Sequence, residues 1–312
     1  MKKKVALIYG GKSAEREISL LTGRQVSSAL TEKGFNVTTL DLDDNLVTTL
    51  KEDRPDVVFI ALHGKYGEDG RLQGLLDIME LPYVGSGVLA SALAMNKALS
   101  KKLFRLEGLL SPSDVFISRH ELKKLGLQGA IERVDRNLAY PLVVKPNKQG
   151  STIGLAVVRT PLDLENAVIN ALNYDDEVLV EEFISGTEIT VGVLGNDEPQ
   201  ALPVIEIRSV TGLYDYEAKY TPGMSEHIIP AQIGGHAYRN AQDQALKAHM
   251  ALGCRGISRS DFIVAPGDKV YILEVNTIPG MTRTSLIPDA ARAAGIDFPD
   301  LVALLVEFAL DN

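Results

Sequence analysis

The chain contains one cysteine, Cys254, so no intrachain disulfide can form, and a disulfide-stapled extracellular scaffold is excluded. It also lacks any excess of positive charge. The formal net charge is −9, which excludes a general nucleic-acid binder, because phosphate contacts require a basic surface. No apolar run approaches the ~20 residues needed to span a bilayer. The start offers Lys2, Lys3 and Lys4 before Val5-Ala-Leu-Ile-Tyr9, an imitation of a signal peptide. That apolar run is too short for an h-region and meets Gly10-Gly11 and then charged residues, so it reads as a first strand. No membrane association, and a soluble cytoplasmic protein, are the expectation. Internal repeats, low-complexity tracts and Pro/Ser-rich linkers are likewise missing.

What remains is an ordinary globular mixture, 45% hydrophobic and 23% charged, over 312 residues, a length that implies two or three packed units. Val5 to Tyr9 and Val57 to Leu62 read as buried strands. Between them Ile18, Leu21, Val26 and Leu30 keep helical spacing, with Ser13 as the N-cap. This rhythm predicts a parallel sheet with covering helices, closing near Gly85-Ser-Gly87. A helix carrying Asn96, Lys97 and Lys101 opens the middle third. Strands at 142–145 and 155–158, a helix at 164–172 and a strand at 178–184 follow. Strands at 188–194 and 201–208 come next, then a polar connection from Ser209 to about Gln232. A helix, a strand pair (260–264 and 270–275) and two helices complete the chain.

The strand pair carries the most chemistry. Residues two apart in a strand share a face, so Glu274 and Asn276 point one way, as do Arg259 and Asp261. A hairpin closed at Ala265-Pro-Gly-Asp268 gathers all four on one surface. Oxygen donors without sulfur or imidazole suit a hard cation such as Mg²⁺, shared with a nucleotide phosphate. A solvated surface hairpin shows the same alternation; Asn276-Thr-Ile-Pro-Gly280 favours the metal, because its turn places backbone N–H groups beside the acidic face. Upstream, Gly150 and Gly154 flank Ser151-Thr152 between two strands, with Lys145 and Lys148 nearby. Glycines there let amides approach phosphate, as in a nucleotide-covering flap, although an ordinary hairpin turn has the same composition.

Gly11-Lys12-Ser13 does not complete a P-loop, since Ala6 stands where the leading glycine is required. Glu15, in the first turn of the following helix, is either a receptor for a substrate ammonium group or a partner of the helix dipole. His63 lies at a strand's C-terminal end, where α/β ligands gather, or is a structural histidine. Tyr214, Tyr216, Lys219 and Tyr220 sit in the long polar connection, a candidate lid or a surface loop.

These segments resemble the D-alanine–D-alanine ligases of the ATP-grasp superfamily nearly end to end. The resemblance runs through Gly10-Gly-Lys-Ser-Ala-Glu-Arg-Glu-Ile-Ser19, Leu62-His-Gly64, Gly67-Glu-Asp-Gly70, Gly85-Ser-Gly87 and Met95-Asn-Lys97. It continues through Val144-Lys-Pro146, Gly150-Ser151, Tyr214-Asp-Tyr-Glu-Ala-Lys-Tyr220, Arg259-Ser-Asp261, Glu274-Val-Asn-Thr-Ile-Pro-Gly-Met281 and Ser285-Leu286. It implies an α/β fold, α+β in the ATP-grasp part, with three units: an N-terminal parallel-sheet substrate domain (1–95), a central subdomain with the flap (96–185) and a C-terminal subdomain with lid and metal site (186–312).

The resemblance also implies roles. Lys97 and Lys145 contact ATP phosphates, Gly150 and Ser151 cover them, and Lys219 reaches the γ-phosphate. Glu181, Phe183 and Glu188 line the adenine and ribose pocket. Asp261, Glu274 and Asn276 hold two Mg²⁺ (or Mn²⁺) ions. Glu15, tied to Ser151 and Tyr220, holds the ammonium of the first D-alanine, and His63 lies near its carboxylate. Arg259 and the Gly280 N–H form an oxyanion site; Ser285 and the Leu286 backbone grip the second carboxylate. The implied reaction makes D-alanyl-D-alanine for peptidoglycan through a D-alanyl phosphate, in a homodimer. Lys65-Tyr66 and Arg283 depart from the family pattern near the substrate. A sister ligase using D-serine or D-lactate and a non-catalytic nucleotide-binding regulator are the alternatives. The intact Arg259, Asp261, Glu274 and Asn276 set speaks against the regulator.

Overall fold

The protein is described by a computed structural model covering residues 2–13, 15–209, 221 and 223–311. The segment expected to be a lid, with Tyr214, Tyr216, Lys219 and Tyr220, lies outside the described residues. In chain order the strands are β1 (Lys4–Tyr9), β2 (Asn36–Asp41), β3 (Val57–Ile60), β4 (Asp114–Ile117), β5 (Leu142–Pro146), β6 (Ala156–Val158) and β7 (Val178–Glu182). They continue with β8 (Thr187–Gly195), β9 (Gln200–Ala201), β10 (Ile205–Ser209), β11 (Ser225–Ile228), β12 (Gly256–Ala265) and β13 (Lys269–Asn276).

Three sheets result. The first is parallel, in the order β2-β1-β3. Alternate residues of β1 serve different cores: Val5 and Leu7 face one, Ala6 and Ile8 the other, as a parallel sheet covered on both faces requires. The second is antiparallel, β4-β7-β5-β6, backed by the helices Arg119–Asn137 and Pro161–Leu172. The third runs β11-β10-β8-β12-β13 with β9 on β8, and packs against the helix Gly235–Leu252. Phe298, Leu301, Val302 and Leu305 of the last helix, Phe298–Leu310, return to the first sheet and share a core with Val5, Leu7, Val57 and Phe59.

Several boundaries differ from expectation. The first helix runs Arg16–Glu32 with Glu15, not Ser13, at its N-cap. The Ser13 hydroxyl instead donates to the His63 carbonyl at 2.9 Å and accepts from the Glu15 N–H at 3.2 Å, which ties the loop after β1 to the loop after β3. The strand expected at 201–208 is divided into β9 and β10 around Pro203, which has no N–H to donate to a ladder. β11 lies inside the connection expected to be irregular, paired antiparallel with β10. β2, β4 and the helices Leu46–Asp53, Arg71–Ile78, Val88–Met95 and Arg119–Asn137 carry no strong sequence pattern and add to the expected set.

Behind the third sheet His249, 1% exposed, bonds the Ser258 hydroxyl at 2.7 Å through Nδ1, while its Nε2 has no partner among the described residues. Burial lowers its pKa to about 4. The unfolded chain takes up a proton there below about pH 6.5, which the folded chain refuses until about pH 4. Stability held above pH 6.5 is therefore lost as pH falls through that window, by up to about 3 kcal/mol. Urea denaturation at stepped pH is expected to show this decline, and His249→Gln to remove its share of it.

Candidate functional site

The register of β12 against β13 sets the site. Arg259 lies opposite Asn276 and Asp261 opposite Glu274. The ladder then shifts, so that Phe262 pairs with Ile272 and Leu273 is the extra residue of a β-bulge. Phe262 and Ile272 are fully buried in the core on the far side. Without the bulge Glu274 would share the face of Ile272. With it, Leu273 and Glu274 both reach the cleft. Alternation alone correctly put Glu274 and Asn276 on one face, yet no residue type announces the bulge.

The carboxylates are compensated from within. Arg259 grips Asp261 through two bonds, Nε to Oδ1 at 2.9 Å and Nη2 to Oδ2 at 2.8 Å. Thr190 on β8 donates its hydroxyl to Asp261 Oδ1 at 2.6 Å. Lys97 Nζ lies 3.1 Å from Glu274 Oε2 and also donates to the Gln149 carbonyl at 2.7 Å, which ties the start of the 147–155 loop to the acidic face. Asn276 Oδ1 accepts the Ile278 N–H at 2.9 Å and so turns the chain out of β13. Two facing carboxylates and an amide oxygen form an all-oxygen set suited to a hard cation. Among the described residues no group of three or more His, Cys, Asp and Glu could hold a metal, because the third donor here is an asparagine.

Opposite this face is the loop between β5 and β6. Ser151 and Thr152 adopt left-handed φ of 51° and 61°, conformations rare for non-glycine residues. This strained turn aims the Ser151 hydroxyl at the Glu15 carboxylate, to which it donates a short hydrogen bond. Glu15 is only 7% exposed, and Gly64 leaves it room: a Cβ there would lie 2.7 Å from Glu15 Oε2. His63 is tied on both ring nitrogens, Nε2 3.2 Å from the Thr22 hydroxyl and Nδ1 3.6 Å from Glu68. It is a buried, partnered histidine that also faces the cleft.

Two adjoining cavities result, sharing Lys97, Gly150 and Glu274. Glu15, His63, Ser151, Arg259, Asn276, Gly280, Ser285 and Leu286 face the first. Ser285 precedes the helix Leu286–Ala293 but does not cap it. Its hydroxyl pairs with that of Thr282 at 2.7 Å and accepts the Thr282 N–H at 3.1 Å. The helix N-terminus therefore presents first-turn N–H groups to the cavity without a side-chain cap, a favourable place for an anion. Lys145, Glu181, Phe183, Glu188 and Asp261 face the second cavity, whose walls include Val143, Ile153, Leu155, Ile184 and Ile263. At its end Lys145 Nζ lies 2.6 Å from Glu181 Oε2, and Lys101 bonds Oε1. Burial opposes ionisation of Glu181, but Lys145 and Lys101 together outweigh it and hold the carboxyl below its usual range. Every expected site residue among those described faces one of these cavities. Sequence reasoning gave no role to Thr190, Leu273 or Lys101; Lys101 is visible one turn after Lys97, but nothing in the pattern shows where it points.

A family model described as D-ala D-ala ligase C-terminus matches residues 103–307, and one described as D-ala D-ala ligase N-terminus matches 45–86. The chain belongs to the D-alanine–D-alanine ligase family. Relatives bearing that family's name include a protein of Pelotomaculum thermopropionicum, 53% identical and covering 100% of this chain and 98% of that one. Another, from Desulforamulus reducens, is 50% identical and covers 100% of both chains. Two solved structures share the ATP-grasp fold of the family. The VanG D-Ala:D-Ser ligase of Enterococcus faecalis matches with a TM-score of 0.84 at 33% identity, over 99% of this chain and 100% of that one. The D-alanine–D-alanine ligase of Bacillus anthracis complexed with ATP matches with a TM-score of 0.82 at 30% identity, over 99% and 98%. No helix among the described residues is long and apolar enough to cross a membrane.

Thr190→Val, which removes a donor from Asp261 without changing shape, is expected to destabilise the protein by about 1–3 kcal/mol in urea denaturation.

Proposed function

We propose that the chain is an ATP-dependent, ADP-forming ligase that joins two D-alanines for peptidoglycan synthesis, and so serves cell-wall biogenesis and cell shape. The observation that carries this reading is the junction of the two cavities at Lys97, Gly150 and Glu274: an apolar slot ending in lysines opens onto a polar chamber across one acidic strand face. Family membership supports the same reaction.

In this reading the second cavity takes ATP, with adenine and ribose against Phe183, Glu181 and Glu188 and phosphates toward Lys97, Lys145 and the Gly150-Ser151 turn. The family resemblance assigns Lys219, which lies outside the described residues, to the γ-phosphate. Asp261, Glu274 and Asn276 fit two Mg²⁺ or Mn²⁺ ions, since all three offer hard oxygen donors on one face. Bound there, the ions neutralise charge developing on the transferred phosphoryl group. Glu15, oriented by Ser151, holds the first D-alanine's ammonium, with His63 beside its carboxylate; the family resemblance adds Tyr220, which lies outside the described residues. That carboxylate attacks the γ-phosphorus and gives an acylphosphate and ADP. The second D-alanine, its carboxylate at Ser285 and the Leu286 N–H, attacks the activated carbonyl, and phosphate leaves. Arg259 and the Gly280 N–H stabilise the tetrahedral oxyanion. Phosphoryl transfer needs position and compensating charge more than covalent chemistry, which the lysine-rich cleft supplies.

A D-serine-using relative shares the fold, as the Enterococcus faecalis structure illustrates. Full-length relatives at 53% and 50% identity bearing the D-alanine–D-alanine ligase name favour the dipeptide. Units at 1–95, 96–185 and 186–312 are supported by the three sheets, with the helix Val88–Met95 as a seam: its Ala90 and Ala94 are buried in the core of the third sheet. A cytoplasmic homodimer, the family expectation, completes the reading.

Mass spectrometry of products from ATP, Mg²⁺ and a panel of D-amino and D-hydroxy acids is expected to show D-alanyl-D-alanine as the main product. ADP release indifferent to D-alanine would overturn the substrate assignment. Glu274→Gln is expected to reduce ADP release to background. Arg259→Lys keeps the charge but loses the fork, and should lower kcat by roughly 10²-fold.

A further inference from the structure

We propose, building on the nucleotide site above, that Lys101 is a positioning residue: it is the fixed counterion of Glu181 that frees Lys145 to leave this carboxylate for the nucleotide phosphates. Lys101 is fully buried, and no element of the ATP-site reading includes it. It lies in the helix Lys97–Leu106, one turn after Lys97, so one helix sends one lysine into the cleft and another beneath the second sheet. Its ammonium bonds Glu181 Oε1 and lies 3.6 Å from Asp114, which stands opposite Glu181 across β4 and β7. Arg105, a further turn along the helix, pairs with Asp114.

The charges of this cluster decide the division of labour. Lys101 and Arg105 balance Glu181 and Asp114, two cations against two anions. Lys145 is a third cation on the same cluster, and of these three cations it is the one that lines the second cavity. Withdrawing it leaves the buried carboxylates fully compensated. Without Lys101, Lys145 becomes the sole partner, among the described residues, of a carboxylate only 2% exposed, and removing the last partner of a buried charge is strongly unfavourable. Lys145 is then locked in place and lost to the nucleotide.

A chemical signature accompanies this geometry. Burial pulls the Lys101 pKa down to about 8, even though Glu181 opposes the shift, with Lys145 and Arg105 adding repulsion. Above that pH Lys101 becomes neutral and Lys145 is the cation held by Glu181, the same arrangement that Lys101→Met creates. When Lys145 moves to a phosphate, its repulsion of Lys101 ends and Lys101 gains a proton. Nucleotide binding at alkaline pH therefore takes up a proton.

The test is calorimetric titration of ADP with Mg²⁺ into the full chain between pH 7 and 9.5. The wild type is expected to bind ADP with a Kd that rises by tenfold or more above about pH 8. Lys101→Met should raise Kd at least tenfold at pH 7, about 1.4 kcal/mol, and lose the alkaline rise. The charge-balanced double variant Lys101→Met/Glu181→Gln removes the buried anion with its counterion; because Glu181 also lines the adenine pocket, it is read by its pH profile alone, which should lack the alkaline rise. A Lys101→Met protein that melts earlier but keeps the wild-type Kd and pH profile would overturn the proposal and leave Lys101 a structural residue. If Lys101→Met does not fold, the double variant decides: an alkaline rise equal to the wild type's overturns the inference. A wild type that binds no ADP at any pH would instead overturn the nucleotide reading on which it rests.

Discussion

Asp261 and Glu274 face one another across β12 and β13, a repulsive arrangement that the fold has to neutralise before it can hold its shape. It does so with side chains drawn from several directions. Arg259 reaches along its own strand, Thr190 across from β8, and Lys97 from a helix that also steadies the 147–155 loop. The carboxylates, the loop and the helix are thereby linked into one electrostatic unit. A net charge of −9 is thus compatible with a cleft rich in cations, because charge distribution rather than its sum determines what the surface attracts. Lys145 and Lys101 extend the pattern to Glu181. In the proposed reaction a metal-bound nucleotide does not enter an empty anionic hole. It exchanges with internal cations that already satisfy the same oxygens, so its binding is a swap of partners rather than a fresh neutralisation.

The same two strands serve the core on their other side. Phe262 and Ile272 are fully buried beneath the helix Gly235–Leu252, and the bulge at Leu273 lets β13 meet both demands at once. Position at the cleft is therefore backed by close packing rather than by loop contacts alone. On the opposite wall Ser151 depends on a strained left-handed turn to meet Glu15, so this contact joins a rigid half to a more costly one.

Alternation and helical spacing made much of this legible. The i, i+2 rule placed Arg259 with Asp261 and Glu274 with Asn276, and the turn glycines marked the loop at Gly150 and Gly154. Motif order identified the family, and from it came Glu15 with Ser151, which no local pattern pairs because 136 residues separate them. What stayed hidden depends on tertiary geometry. The bulge at Leu273 has no compositional signature. β11 is short and polar, and forms only because β10 offers an edge. Ser13 looked like a cap but bonds the His63 carbonyl across the sheet, since the helix begins later. Lys101 looks like any solvated lysine until the fold encloses it.

The last helix, Phe298–Leu310, covers the face of the parallel sheet that includes Val5, Leu7 and Phe59. Residues of β1 and β3 thus wait for a helix made more than 200 residues later before one side of their sheet is sealed. During that interval a greasy surface built from these strands stays open to wrong partners, a hazard general to late-closing chains. Nascent protein of this design depends on the speed of its own completion, and on whatever shields that surface meanwhile.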